Sequence, residues 1–299
     1  MRSFILLALA GFGAQLVDGS LGMAYGVSST TLLLAVGLAP ALASAAVHIA
    51  EVGTTAVSGI SHASFGNVDW SKILWMAIPG GVGAFLGAFL LVYASTAEAT
   101  AGLVEPVVAI FLFSLGVYIL SRFAFRRTER PVQVRPVSRK FLGPLGLVAG
   151  FLDAMGGGGW GPIATPTLLS SGRMEPRKII GTVDTSEFVV ALCASIGFLF
   201  SLSFAEVPWT VVGALLAGGL VAAPIAAWIV RLLPTRILGT AVGGVILITN
   251  MRTFLGTLGV EGTAAGVAYF VIVAVWISAL AFSIAAIRKD RTVAEGQPA

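Results

Sequence analysis

Charged side chains are scarce in this sequence. Lysine, arginine, aspartate and glutamate make up 11% of its 299 residues, against roughly 25% in soluble domains, which excludes an ordinary water-soluble globule. Cysteine is scarcer still. Cys193 stands alone, so no internal disulfide can form, and among apolar neighbours it reads as a small packed hydrophobe. The two histidines, His48 and His62, are not spaced with thiols, which argues against a soft-metal centre. No G-x-x-x-x-G-K-[ST] run occurs, so ATP is not the evident energy source. Nothing in the sequence calls for a cofactor or a resident metal.

What the chain has in abundance is apolar sequence and glycine. Hydrophobic residues make up 57%, with 37 glycines and a mean hydropathy of +0.96. Together they describe a polytopic membrane protein in which small residues let helices approach closely. The net charge of +4 does not point to nucleic acid, because the basic residues sit in loops between apolar spans, as they do in cytoplasmic loops. The start, MRSFILLALAG, mimics a signal peptide. Cleavage after it would leave a segment shorter than the usual ~15 to 30 residues, and the run belongs to an internal repeat, so it is read as part of the mature fold.

That repeat organises the chain. AQLVDGSLGMAYGVSSTTLLL, from Ala14 to Leu34, returns 135 positions later as AGFLDAMGGGGWGPIATPTLL, from Ala149 to Leu169. Gly11, Ala14, Asp18, Gly22, Gly26, Thr30, Leu33, Leu34 and Gly37 all meet identical residues at this offset. In both copies an aspartate and a glycine cluster interrupt a run otherwise apolar enough to enter lipid, which predicts two half-helices joined by unwound backbone. Such backbone is tolerated at membrane depth only where protein or a water-filled cavity satisfies it. Paired interruptions in two halves point to a transporter's binding site.

Spans are expected at about 41–65, 70–93, 100–121, 177–203, 208–230, 237–257 and 262–287. The expected fold is an all-α polytopic membrane protein of two inverted-topology repeats. Each repeat is a broken, re-entrant helix unit followed by three spans, with one extra C-terminal helix. The division is residues 1–121, first inverted repeat; 122–140, a basic linker with seven basic residues against one acidic; 141–258, second inverted repeat; 262–287, the extra helix; and 288–299, a polar tail expected to be disordered. Placement of lysine and arginine puts the linker and the C-terminus in the cytoplasm of a multi-pass cell-membrane protein. Membrane lipid and a small anionic substrate are the expected partners, and a homodimer is a candidate assembly.

These residues carry a resemblance. AQLVDGSLGMAYGVSST, with His48 to Glu51, SGISH at Ser58 to His62, GNVDW at Gly66 to Trp70 and NMRTFLG at Asn250 to Gly256, is similar to the TauE/SafE sulfite exporter family of anion permeases over nearly the whole chain. The resemblance implies secondary transport of a small anion, sulfite or an organosulfonate foremost, by a protein that is not an enzyme.

The residues themselves supply the chemistry. Six acids fall at membrane depth, Asp18, Glu51, Glu105, Asp153, Asp184 and Glu187, where each costs roughly 2.5 to 3.5 kcal/mol and defaults to a functional role. Asp18 and Asp153 precede the breaks and are read first as caps of the next half-helices, and otherwise as gating or proton-relay groups. Those half-helices should begin near Met23 and Gly158, presenting free N–H groups and a positive dipole end to an anion. Substrate-binding candidates are Gln15, Gly22, Tyr25, Ser28, Ser29, Gly157, Trp160, Thr165, Asn250 and Arg252. Thr30 offers a further hydroxyl. The alternative for these polar residues is bridging between helices.

Ser44, His48, Glu51, Thr55, Ser58 and His62 recur at spacings of four and three, which is one face of a helix. Asp184 and Glu187 stand in the second copy where His48 and Glu51 stand in the first, suggesting proton coupling or gating through Asp18, His48, Glu51, Asp153, Asp184 and Glu187. His62 is read as structural. Arg252 either anchors at the outer surface or grips the anion with its planar fork. Two other classes compete: a cation carrier or proton-coupled carrier of another substrate, motivated by the buried acids, and an intramembrane pyrophosphate phosphatase. The second copy, WGPIATPT, lacks the serine and arginine that the phosphatase requires.

Overall fold

The computed structural model describes residues 2–125, 137–171, 173–229 and 235–295, and every regular element among them is helical. The helices are α1 (Arg2–Leu21), α2 (Tyr25–Ala35), α3 (Pro40–Ser64), α4 (Trp70–Thr96), α5 (Ala101–Phe125), α6 (Arg139–Gly156), α7 (Trp160–Ser171), α8 (Pro176–Ser201), α9 (Trp209–Ile229), α10 (Thr235–Thr257) and α11 (Gly262–Glu295). Seven are long and apolar enough to cross a membrane. Helix starts follow local chemistry. Pro40 and Pro176 open α3 and α8 at positions where no amide donor is needed. Asp69 and Ser138 cap α4 and α6 by accepting from the amides of Ser71 and Lys140.

Two features differ from the sequence reading. The first arm of each broken unit is longer than a half-helix: α1 has 20 residues and α6 has 18, against 11 for α2 and 12 for α7. At 1.5 Å per residue α1 is about 30 Å long, enough to span on its own. The glycines that stop these arms follow Leu21 and Gly156, and apolar sequence resumes beyond them in α2 and α7. The polar tail is helical as far as Glu295, since no glycine or proline intervenes between Ile287 and Glu295. Most of the linker, residues 126–136, lies outside the described residues.

The first broken unit doubles back. Leu7 near the start of α1 and Leu34 and Leu38 at the end of α2 pack on one cluster with Val207 and Val212 at the start of α9. The strongest packing then crosses between the halves. Helices α1 and α9 run parallel, Gly11 against Leu215 and Gly19 against Ala226. Helices α4 and α6 also run parallel, with Gly146 on the backbone of Met76, Gly150 on Gly80 and Gly87 on Phe151. Helices α3 and α8 are antiparallel, pairing Asn67 with Gly181, Gly59 with Thr185, and the His48 ring with Phe198 at 5.7 Å. Helix α8 runs parallel to α4, with Gly81 against Cys193 and Gly197 against Phe85. Outside this group α5 and α10 pair antiparallel, Leu120 against Gly243 and Phe123 against Gly239, and α11 lies against them with Trp276 over Gly244. Most of α11 faces outward, only 11% of its apolar window being buried by protein.

Candidate functional site

The two helix breaks, residues 22–24 and 157–159, meet inside the bundle. Gly26 and Gly158 are in backbone contact: a Cβ on Gly26 would stand 2.8 Å from the Gly158 Cα, and one on Gly158 would strike the amide of Val27. Any larger residue at either place would part the crossing. Thr30 Oγ1 donates to the carbonyl of Gly157, and Thr165 Oγ1 donates to the carbonyl of Gly22 at 2.5 Å. Thr30 and Thr165 are equivalent in the repeat, as are Gly22 and Gly157, so each break is held by the hydroxyl that follows the other. Unwound carbonyls buried from water thereby find donors. The chain reverses through left-handed conformations at Gly22, Gly157 and Gly158, and also at Ala24, where φ is 100°. An alanine held there is strained by about 1–3 kcal/mol.

The half-helix N-termini begin at Tyr25 and Trp160, two residues later than expected, and their amides are not free. The carboxylate of Asp18 accepts from Tyr25 N–H at 3.2 Å. Asp153 Oδ1 accepts from Gly159 N–H at 2.7 Å and from Trp160 N–H at 3.0 Å. Asp18 and Asp153 thus cap the half-helices as first read, and the companion expectation of open amide donors waiting for an anion is corrected. The protein's own carboxylates take those donors, because each aspartate sits one turn before its break with its side chain directed across it.

Beyond the caps, the acids gather into two clusters that are equivalent in the repeat. In the first, His48 Nε2 lies 3.1 Å from Asp153 Oδ2 and 4.0 Å from Glu51 Oε2. His48 Nδ1 is 2.8 Å from the carbonyl of Ser44, an acceptor only, so Nδ1 carries a hydrogen and a single proton is left for the Nε2–Asp153 contact. Ser44 Oγ donates to the carbonyl of Ala154 at 2.8 Å, tying α3 to the end of α6. In the second cluster Asp18, Asp184 and Glu187 each offer an oxygen, and the three oxygens lie within 4.8 Å of one another. All six side chains are buried. At an effective dielectric of ~20, two carboxylate charges this close repel by about 3.5 kcal/mol or more, so the second cluster cannot hold three bare charges without a neutralising proton or cation.

The remaining candidates surround these clusters. Gln15, Tyr25 and Ser29 are buried, and the Gln15 amide, the Tyr25 hydroxyl and the Ser29 hydroxyl have no hydrogen-bond partner among the described residues. Trp160 is fully buried; its Nε1–H donates to the carbonyl of Val183 at 3.0 Å, and its ring covers Gly80. Asn250 donates to Thr31 Oγ1 at 2.8 Å, which brings α10 to the second half of the first break. Ser28 is half-buried. The side chains of Arg252 and Glu105 lie outside the described residues.

Sequence reasoning underrated His62. It is fully buried, its Nε2 lies 3.9 Å from Asp184 Oδ2, and its Nδ1 contacts the Asn67 amide at 3.2 Å. It was read as structural from its place in the last turn of α3, and the start of α8 covers that end through Gly181 against Asn67. The signal was available: His62 completes the same four-and-three stripe as His48 and Glu51.

The sequence model of the Sulfite exporter TauE/SafE family matches residues 7–253. The chain is also similar to the Probable membrane transporter protein YtnM of Bacillus subtilis (strain 168), with 48% identity over 290 residues, covering 96% of this chain and 94% of that protein. No solved structure matches the chain.

Proposed function

The chain belongs to the TauE/SafE sulfite exporter family, and from that premise we propose that it is a secondary transporter exporting a small anion, sulfite or an organosulfonate, by alternating access coupled to protons. The observation that carries this reading is the crossing of two helix breaks whose N-terminal amides are held by buried carboxylates, one of them paired with His48. A sulfur oxyanion offers the same oxygen acceptors as an aspartate. To reach the amides of Gly159 and Trp160 it must displace Asp153 Oδ1, and a displaced buried carboxylate is tolerable once it takes up the proton it shares with His48. Anion binding and proton position are then linked at one residue. The partnerless hydroxyls of Tyr25 and Ser29 are donors for the bound oxyanion, and Arg252 supplies the charge that two half-helix ends, each about half a unit, lack for a dianion.

The halves serve as inverted repeats on this reading. Support comes from helix directions: α1 is parallel to α9, α4 and α8 are parallel to α6, and the seven-residue connection 202–208 turns α8 back into α9. Equivalent helices α1 and α6 therefore oppose one another. On the same reading the exposed Arg173 and Arg177 share the cytoplasmic face with the linker and the C-terminus, as the distribution of basic residues favours. A cysteine at Thr96 in a Cys193→Ala background should react with impermeant thiol reagents in intact cells, and one at Gln133 should not; the opposite pattern would invert the orientation.

Counterflow in proteoliposomes tests the function. Radiolabelled sulfite should accumulate against internal sulfite, short-chain sulfonates should compete, and Asp153→Asn should abolish exchange in folded protein. Exchange of a cation with no sulfur anion transported would overturn the anion reading.

A further inference from the structure

The two buried clusters are copies of one another with a single chemical exchange. In the first, a carboxylate from the other half's broken unit (Asp153) and one from the same helix face (Glu51) flank His48. In the second, Asp18 and Glu187 hold the places of Asp153 and Glu51, and Asp184 holds the place of His48. The first cluster carries its own cationic partner in the imidazole. The second has a third acid there instead, so nothing among its three members offers positive charge.

We propose that Asp18, Asp184 and Glu187 form a binding site for a small hard metal cation, which stands in the second half of the bundle where the His48 imidazole stands in the first. Oxygens within 4.8 Å of one another match the spread of ligands around an ion bound at about 2.3–2.6 Å, and carboxylate-only donors suit sodium, magnesium, calcium or manganese rather than softer ions. An independent observation points into the same place. His62 is fully buried, its Nε2 has no hydrogen-bond partner among the described residues, and it is directed at Asp184 Oδ2 from 3.9 Å. That is the position of an outer group that orients a ligating carboxylate. The His62 nitrogen stays unpaired if the acids do no more than pack. The ion's role as a coupling ion rests on the transporter reading; its binding does not.

The test uses the purified full-length protein in detergent at fixed pH and ionic strength, with choline chloride exchanged stepwise for sodium, magnesium, calcium or manganese chloride. Thermal unfolding and equilibrium dialysis are the readouts. At least one of the four metals should raise the unfolding midpoint saturably and bind at one equivalent, and which of them does so identifies the ion. Glu187→Gln should raise the half-saturating concentration about tenfold or more. Asp184→His rebuilds the first cluster's chemistry in the second and should unfold at the same midpoint with or without metal. The proposal is overturned if none of the four metals acts differently from choline on the wild type, or if the wild-type response persists in both variants. Sulfite counterflow is measured separately: sulfite exchange without metal binding sinks this site alone, and metal binding without sulfite exchange sinks only the anion reading.

Discussion

Replacing Thr165 with valine isolates one of the two bonds that hold the crossing. The side chain keeps its branched shape and almost its volume, but the Gly22 carbonyl loses the hydroxyl that donates to it at 2.5 Å. Leaving a buried acceptor unpaired costs about 1–3 kcal/mol in proteins generally, whereas hydrogen bonds between membrane helices average only about 0.6 and reach about 1.7 kcal/mol. The second scale is low because an unfolded helix in lipid still finds partners. Gly22 is not in a helix, and its neighbours Thr165 and Gly161 come from the other half of the chain, so the upper end applies. We expect about 1.5 kcal/mol, close to a tenfold change in the unfolding equilibrium. Thr30→Val removes the matching bond to Gly157 and should cost a similar amount. Because both bonds clamp one crossing, the double variant should depart from the sum of the singles by about 0.5 kcal/mol or more. Unfolding by sodium dodecyl sulfate titration, followed by tryptophan fluorescence, measures all three. Singles that both fall within about 0.3 kcal/mol of wild type would refute the claim that these hydroxyls hold the breaks together.

Three further outcomes follow from the same geometry. Gly26→Ala places a methyl 2.8 Å from the Gly158 Cα and 3.2 Å from Glu51 Oε1 and should destabilise by about 1–3 kcal/mol through overpacking, with transport lost in protein that still purifies as a single species. Asp18→Asn keeps an oxygen for the Tyr25 amide, so its unfolding should stay within about 1 kcal/mol of wild type; a collapse of expression would show that the charge, not the cap, holds the fold. His48→Gln retains a donor for the Ser44 carbonyl but not the shared proton, so sulfite exchange should lose its dependence on an imposed proton gradient while folding persists, and a retained dependence would place the proton elsewhere.

Much of this arrangement was legible in the sequence for a physical reason: the offset of 135 residues carried the break positions, because only glycine clusters permit the left-handed turns at Gly22, Gly157 and Gly158. Periodicity likewise marked the stripe from Ser44 to His62, and Ser44, His48, Glu51, Thr55, Ser58 and His62 are all buried. Partnership was not legible. Asp153 meets His48, and Asp18 meets Asp184 and Glu187; each contact joins different halves, and a helical repeat reports which face a residue occupies without reporting what lies opposite. The capping of Tyr25 and Trp160 by Asp18 and Asp153 was legible from the aspartates' place before the breaks, but that this occupies the amides an anion would need follows only from the path of the three connecting residues.

The glycine contacts between α1 and α9, and between α4 and α6, bear on what can move. Where one backbone rests on another there is no side chain to change rotamer, so sliding would open voids at once, and each pair travels as a unit. Each unit takes one helix from either half of the chain. The tightly packed units are therefore not the two halves in sequence but two mixed blocks, one built on α1 with α9 and the other on α4 with α6. Between the blocks runs the α3–α8 contact, so His48, His62 and Asp184 lie on the seam where they meet.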